Sequence, residues 1–331
     1  MERFALAAAV VLGFALTAAL CSLFVPLRRV LERREQQQQP VQSEQPRPAP
    51  LRAPLWGGLC AAAGTVAAVG VGWLVACVGQ PELLGSEGRL MTRLLTALAG
   101  SLAFGAVGLA EDLARMRSPA ALGLRRDVRL LLEALAAAFV LLLLQAAGCL
   151  PRGLDVPGAG YVLLGSAVPF LWAVLMVALA ECARIAERDE GTVCGAAFVA
   201  MLALMMAEAG LGVPGLAVLP AALAGALVAL LLWAFPPARL GVGCCGSLLA
   251  AGAIGCIPLS LDMTSLTVPL ALPFWAAGGL LAAQLLCAKR TGKPLRCWVK
   301  KHKMSPETVF LCSFALSAVG YVLALALLRW C

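Results

Sequence analysis

The chain has 331 residues, 61% of them hydrophobic and only 13% charged, with a mean hydropathy of +0.90. That composition excludes an ordinary soluble domain and places the chain in a membrane. The net charge of +8 comes without interleaved aromatic and basic residues, so no nucleic-acid partner is implied; topology and anionic headgroups account for it.

About ten apolar runs approach or exceed the ~20 residues that a spanning helix needs: 4–26, 55–79, 91–110, 128–149, 160–180, 192–211, 214–234, 247–261, 266–287 and 307–329. The eighth is short and can begin inside the glycine-rich loop before it. Nothing alternates as a barrel strand would, and lipid offers the backbone no partner, so the expected fold is all-α: one polytopic domain, 1–331, with about ten transmembrane helices. The first run starts at Met1-Glu-Arg and ends at Arg28-Arg29 without a small-residue cleavage site, which reads as a retained helix. Thirteen cysteines, mostly within apolar runs and without CxxC or metal spacing, read as packing residues and imply neither a disulfide framework nor zinc.

Lys and Arg number six in 27–54, five in 111–129, two in 181–191, one in 235–246 and seven in 288–306, which is 21 of the 26. The positive-inside rule therefore predicts these five loops in the cytoplasm and both termini outside. Residues 27–53, with Gln36 to Gln39 and Pro40, Pro46, Pro48 and Pro50, are expected to form a flexible basic loop.

The second run opens Pro54-Leu-Trp-Gly-Gly-Leu59, a glycine pair that suits either close helix packing or a site at the membrane surface. The third ends Phe104-Gly-Ala-Val-Gly-Leu-Ala-Glu-Asp-Leu-Ala-Arg115. Acids disfavour a helix C-terminus, so Glu111 and Asp112 point to chemistry: holding a divalent cation or taking a proton. The loop Glu181-Cys-Ala-Arg-Ile-Ala-Glu-Arg-Asp-Glu-Gly191 carries four acids; Glu187 and Glu190 share a face if helical. In Phe235-Pro-Pro-Ala-Arg-Leu-Gly-Val-Gly-Cys-Cys-Gly-Ser247 two prolines end a helix, and glycines expose N–H groups that suit a phosphate at the next helix N-terminus. The segment Lys289-Arg-Thr-Gly-Lys293, with Arg296, Lys300, Lys301, His302 and Lys303, suits polyanions beside a bilayer.

In order and placement these segments resemble the polyprenyl-phosphate N-acetylhexosamine-1-phosphate transferases, and within them the phospho-N-acetylmuramoyl-pentapeptide-transferase branch. Gly57 and Gly58 stand at that family's Gly-Gly, Glu111 and Asp112 at its paired acids, and Arg184 to Gly191 over its Asn-Leu-Thr-Asp-Gly-Leu-Asp-Gly. The 235–247 segment stands over Phe-Pro-Pro-Ala-x-Val-Phe-Met-Gly-Asp-Thr-Gly-Ser. The resemblance implies a cytoplasmic-facing cleft in a bacterial-type plasma membrane, Mg²⁺ as cofactor, and transfer of a sugar-1-phosphate from a UDP-linked sugar to polyprenyl phosphate in peptidoglycan precursor synthesis.

Mapped onto this chain, Glu111 and Asp112 become the catalytic acids, with Asp112 and Cys244 at metal positions. Gly57, Gly58, Arg184, Glu187, Glu190, Gly243, Ser247, Lys289, Arg290 and Lys293 become substrate-binding. Four departures stand out: Cys244 replaces the metal-binding Asp, Glu111 replaces Asp, Arg184 and Arg188 replace Asn and Gly, and the histidine cluster after the Thr-Gly-Lys segment is absent. A thiol is a poor ligand for a hard cation. Two readings therefore stand, an active divergent transferase and a catalytically silent relative that binds polyprenyl phosphate, a nucleotide sugar or a cell-wall protein. A secondary transporter is the weaker third, resting only on Glu133 and Glu208 inside the apolar runs. Short apolar faces permit a homodimer without requiring one.

Overall fold

The structure is a computed structural model that describes residues 2–38, 56–79, 88–117, 123–151, 153–156, 160–163, 165, 167–187, 191–211, 215–236, 238–291 and 305–328. Its helices are α1 (Glu2–Gln38), α2 (Gly57–Gly79), α3 (Gly88–Arg117), α4 (Arg126–Ala146), α5 (Ala167–Ala186), α6 (Thr192–Gly210), α7 (Val218–Ala234), α8 (Gly243–Ser260), the short α9 (Thr267–Leu270), α10 (Leu272–Thr291) and α11 (Pro306–Leu328). Each apolar run of the sequence thus contains a helix. Among the described residues seven helices are long and apolar enough to cross a membrane, or eight if the bent pair 264–270 and 272–283 is one span. This is a multi-pass helical chain, with fewer helices meeting that criterion than the ten spans expected.

Helix α8 is the axis of the bundle, and all of its residues are buried. It is made of Gly, Ala, Ser, Cys, Leu and Ile around Pro258, so its neighbours approach closely on every side. That is how helices associate where lipid competes for apolar contact. Along α3 the approach is closest: an added Cβ at Gly252 would touch Ser101 and Phe104, and one at Gly100 would touch Cys256. Helices α1 and α7 cross in the same manner, with Gly13 against the Ala222 carbonyl and Gly225 against that of Val10.

Three features depart from expectation. Helix α1 continues to Gln38, into the first part of the stretch expected to be a flexible loop. Leu31-Glu-Arg-Arg-Glu-Gln-Gln-Gln38 consists of good helix formers with no breaker before Pro40; the remainder of that stretch lies outside the described residues. Second, the fifth run begins as a strand. β1 (Gly153–Val156) and β2 (Gly160–Leu163) form an antiparallel hairpin with Leu154 opposite Val162 and Asp155 opposite Tyr161, and α5 starts only at Ala167. The intervening Pro157-Gly-Ala159 is turn chemistry, while four-residue strands are too short to show a period. Third, the ninth run is bent by 62° between residues 270 and 272. Pro273 sits in the first turn of α10, where its missing N–H costs nothing and its fixed φ starts a new helix.

Candidate functional site

The site is built around the N-terminus of α8. Pro236 and Pro237 cannot continue α7, and Phe235 is already extended at φ −62°, ψ 141°. The chain turns back through Gly243, whose φ of +73° favours glycine, and α8 begins there. The first N–H groups of a helix lack partners within it. Here the partners come from another helix: Cys244 N–H donates to Asp112 Oδ1 (3.0 Å) and Cys245 N–H to Asp112 Oδ2 (2.9 Å). A carboxylate at this end also complements the helix dipole. The helix carrying Asp112 runs on to Arg117, so this acid is not at the end of its own helix as the sequence suggested; it stands at the start of α8, and it is almost fully buried there.

Glycines make that approach sterically available. An added Cβ at Gly108 would overlap the Cys244 carbonyl, and one at Gly58 would overlap the Gly246 backbone. The start of α2 is tied to the same loop, Gly57 N–H donating to Gly241 O (3.2 Å) and Gly58 N–H to Val242 O (2.8 Å). Ser247 turns inward and donates to the Cys244 carbonyl at 3.1 Å.

Around this junction lies a partly buried network of acids and arginines. Arg115 Nη2 donates to Glu111 Oε1 at 2.7 Å, and its Nη1 lies 4.0 Å from both Asp112 Oδ1 and Glu187 Oε2. The thiol of Cys244 donates to Glu187 Oε2 at 3.3 Å. Arg129, near the start of α4, donates from Nε to Glu181 Oε1 at 2.8 Å and lies 3.6 Å from Glu111 and 3.9 Å from Glu133. Arg184 closes the chain with a 2.6 Å bond to Glu181 Oε2. Glu133 is fully buried and neither carboxylate oxygen has a hydrogen-bond partner; Arg129 is the cation beside it.

Of the residues singled out in the sequence, Gly57, Gly58, Glu111, Asp112, Arg184, Glu187, Gly243, Cys244 and Ser247 come together at this end of the bundle. Lys289 and Arg290 fall in the last turn of α10. Glu190 and Lys293 lie outside the described residues. The glycine loop does not offer the Cys244 and Cys245 amides to an anion, because Asp112 already holds both. Arg115, Arg129 and Glu181 were not singled out, although all three belong to the network. The i,i+4 pairs Glu111–Arg115 and Arg129–Glu133 and the i,i+3 pair Glu181–Arg184 could have been read from spacing. The bridges between helices, Arg129 to Glu111 and to Glu181, could not.

The described residues do not fit the Mg²⁺ that the resemblance implies. Mg²⁺ takes oxygen ligands at about 2.0–2.1 Å in near-octahedral order. Here Glu111 Oε1 is engaged by Arg115 while its Oε2 is buried without a hydrogen-bond partner, both oxygens of Asp112 accept amide hydrogens, and the position of the third acid is a thiol directed at Glu187. Among the described residues no three Asp, Glu, His or Cys side chains form a metal-ligand group.

Residues 94–262 match the family described as glycosyl transferase family 4. The chain is 27% identical over 265 residues to the phospho-N-acetylmuramoyl-pentapeptide-transferase of Mycobacterium bovis, covering 72% of each chain. It is 32% identical over 170 residues to the protein of the same name from Desulforudis audaxviator, covering 48% of this chain and 50% of that one. A third such transferase, from Synechococcus sp., is 30% identical over 212 residues, covering 63% and 55%. The matched family region begins within α3 and ends just beyond α8, so it contains Asp112, Glu187 and Cys244.

Proposed function

Because the chain belongs to glycosyl transferase family 4, we propose that it is a divergent membrane phospho-sugar transferase of peptidoglycan precursor synthesis. On this reading it moves a sugar-1-phosphate from a UDP-linked sugar to polyprenyl phosphate. An oxygen of the lipid phosphate bonds to the β-phosphorus as the bond from that phosphorus to the bridging oxygen breaks. UMP leaves with the electron pair, and the lipid keeps a diphosphate-linked sugar.

The observation that carries the proposal is the convergence of three segments far apart in sequence, 111–115, 181–187 and 243–247, at the N-terminus of α8. Phosphoryl transfer asks a protein mainly for positioning and charge neutralisation, and this junction supplies fixed charges on rigid helices. Glu111 and Asp112 stand at the phosphate end, with Asp112 fixing the turn from Gly243 to Ser247. Gly57 and Gly58 shape its wall. Arg184 and Glu187 serve the nucleotide, and the resemblance assigns Glu190 to the same role and Lys289, Arg290 and Lys293 to phosphates or lipid headgroups. The cleft opens to the cytoplasm of a bacterial-type plasma membrane, in a bundle of ten spans with both termini outside. No step is routed through Mg²⁺, since the described acids are engaged by Arg115 and by the Cys244 and Cys245 amides.

One observation favours a second reading, a silent relative that binds polyprenyl phosphate, a nucleotide sugar or a cell-wall protein. Cys244 stands where the resemblance places a metal-binding Asp, and its thiol is bonded to Glu187. The deciding experiment is UMP release by the purified protein in lipid nanodiscs with undecaprenyl phosphate and UDP-N-acetylmuramoyl-pentapeptide. Turnover lost in Arg115→Ala is expected; no turnover, with retained binding of either substrate, would select the silent relative.

A further inference from the structure

We infer that Arg115 is the resident cation of this site, standing among the carboxylates in place of a divalent metal ion, so that the site holds its phosphate ligand without one. One guanidinium on α3 faces three acids from two elements: Glu111 at 2.7 Å, Asp112 at 4.0 Å and Glu187 at 4.0 Å. A metal bridging the same three acids would have to share their centre with a fixed positive charge only a few ångströms away, and at low dielectric that repulsion is large. The 4.0 Å separations exceed hydrogen-bond length, and the Arg115 side chain is 23% exposed. Its Nη1 therefore has room to turn toward a phosphate oxygen while Nη2 stays on Glu111.

Two independent features hold Arg115 there. Gly123, in the left-handed region at φ +65°, passes so close that an added Cβ would lie 3.0 Å from Arg115 Cγ and 3.3 Å from Nε. The chain after α3 is thus shaped around this side chain. Beside it, Cys244 supplies a neutral thiol that donates to Glu187 Oε2 at 3.3 Å, so that no fourth carboxylate is added to the three that already face one guanidinium. The inference rests on the transferase reading only for the ligand that Arg115 serves.

The test is titration of Mn²⁺ into the purified full chain in detergent, read by the loss of the free-ion electron paramagnetic resonance signal, with neither nucleotide nor lipid substrate added. The native chain is expected to show no saturable site up to about 1 mM, and its melting temperature should be unchanged by Mg²⁺ or by chelator. The variant Arg115→Gln with Cys244→Asp is expected to gain one saturable site and a Mg²⁺-dependent rise in melting temperature of about 3 °C. If that pair does not fold, Arg115→Gln alone is titrated. Saturable binding by the native chain that Asp112→Asn removes would overturn the inference, and so would a folded variant that gains no site. A failed UMP-release assay would end the transferase reading and leave this result intact.

Discussion

The crossing of α1 with α7 and the junction of α3 with α8 solve one problem under different constraints. Both bring backbones into contact at glycines, Gly13 and Gly225 in the first, Gly108 and Gly58 in the second. At the first, glycine gives contact and nothing else has to be satisfied. At the second, the same closeness carries Asp112 to two amides and sets acids beside Arg115 and Arg129 in a buried space. A shape-only contact weakens in proportion to the volume added or removed. A buried charge network is less forgiving, because removing one member strands the others.

The largest expected loss follows from that asymmetry. Arg129→Ala leaves Glu181 and Glu111 short of a cation and removes the guanidinium beside Glu133, and should cost about 3–5 kcal/mol, read as a steep fall in melting temperature in detergent. Gly108→Val drives a branched side chain into the Cys244 carbonyl and should cost about 3 kcal/mol; a normal melting temperature would mean that α3 and α8 can separate freely. Asp112→Ala leaves the Cys244 and Cys245 amides buried without acceptors, for about 2 kcal/mol, and Asp112→Asn should recover part of that loss. The smallest effect has the opposite sign. Gly70 in α2 has nothing within 4 Å of an added Cβ, so Gly70→Ala should stabilise by about 0.5–1 kcal/mol through helix propensity alone.

The same contrast explains what the sequence made legible. Apolar runs bounded by proline and charge located the helices, since burial and lipid act on the composition of each run alone. Glu111 and Asp112 drew notice because acids are out of place at a helix C-terminus; the helix in fact runs on to Arg117, and the terminus that Asp112 serves is the start of α8. What stayed hidden was pairing across helices. Nothing in the spacing of Arg129 predicts Glu181, which lies 52 residues away. Arg115 looked like an ordinary basic residue at a helix end, although its i,i+4 distance from Glu111 was in view. The hairpin at 153–163 escaped because strands of four residues carry too little pattern.

The most direct test of the account is hydrogen exchange at the Cys244 and Cys245 amides, followed by mass spectrometry in the native chain and in Asp112→Ala. Amides in the first turn of a helix have no acceptor in their own helix, so their protection reports on Asp112. The account predicts slow exchange at both positions in the native chain, and fast exchange there in the variant while residues 248–260 stay protected. Equal protection in the two proteins would mean that Asp112 does not hold the start of α8, and that the three segments do not form one site.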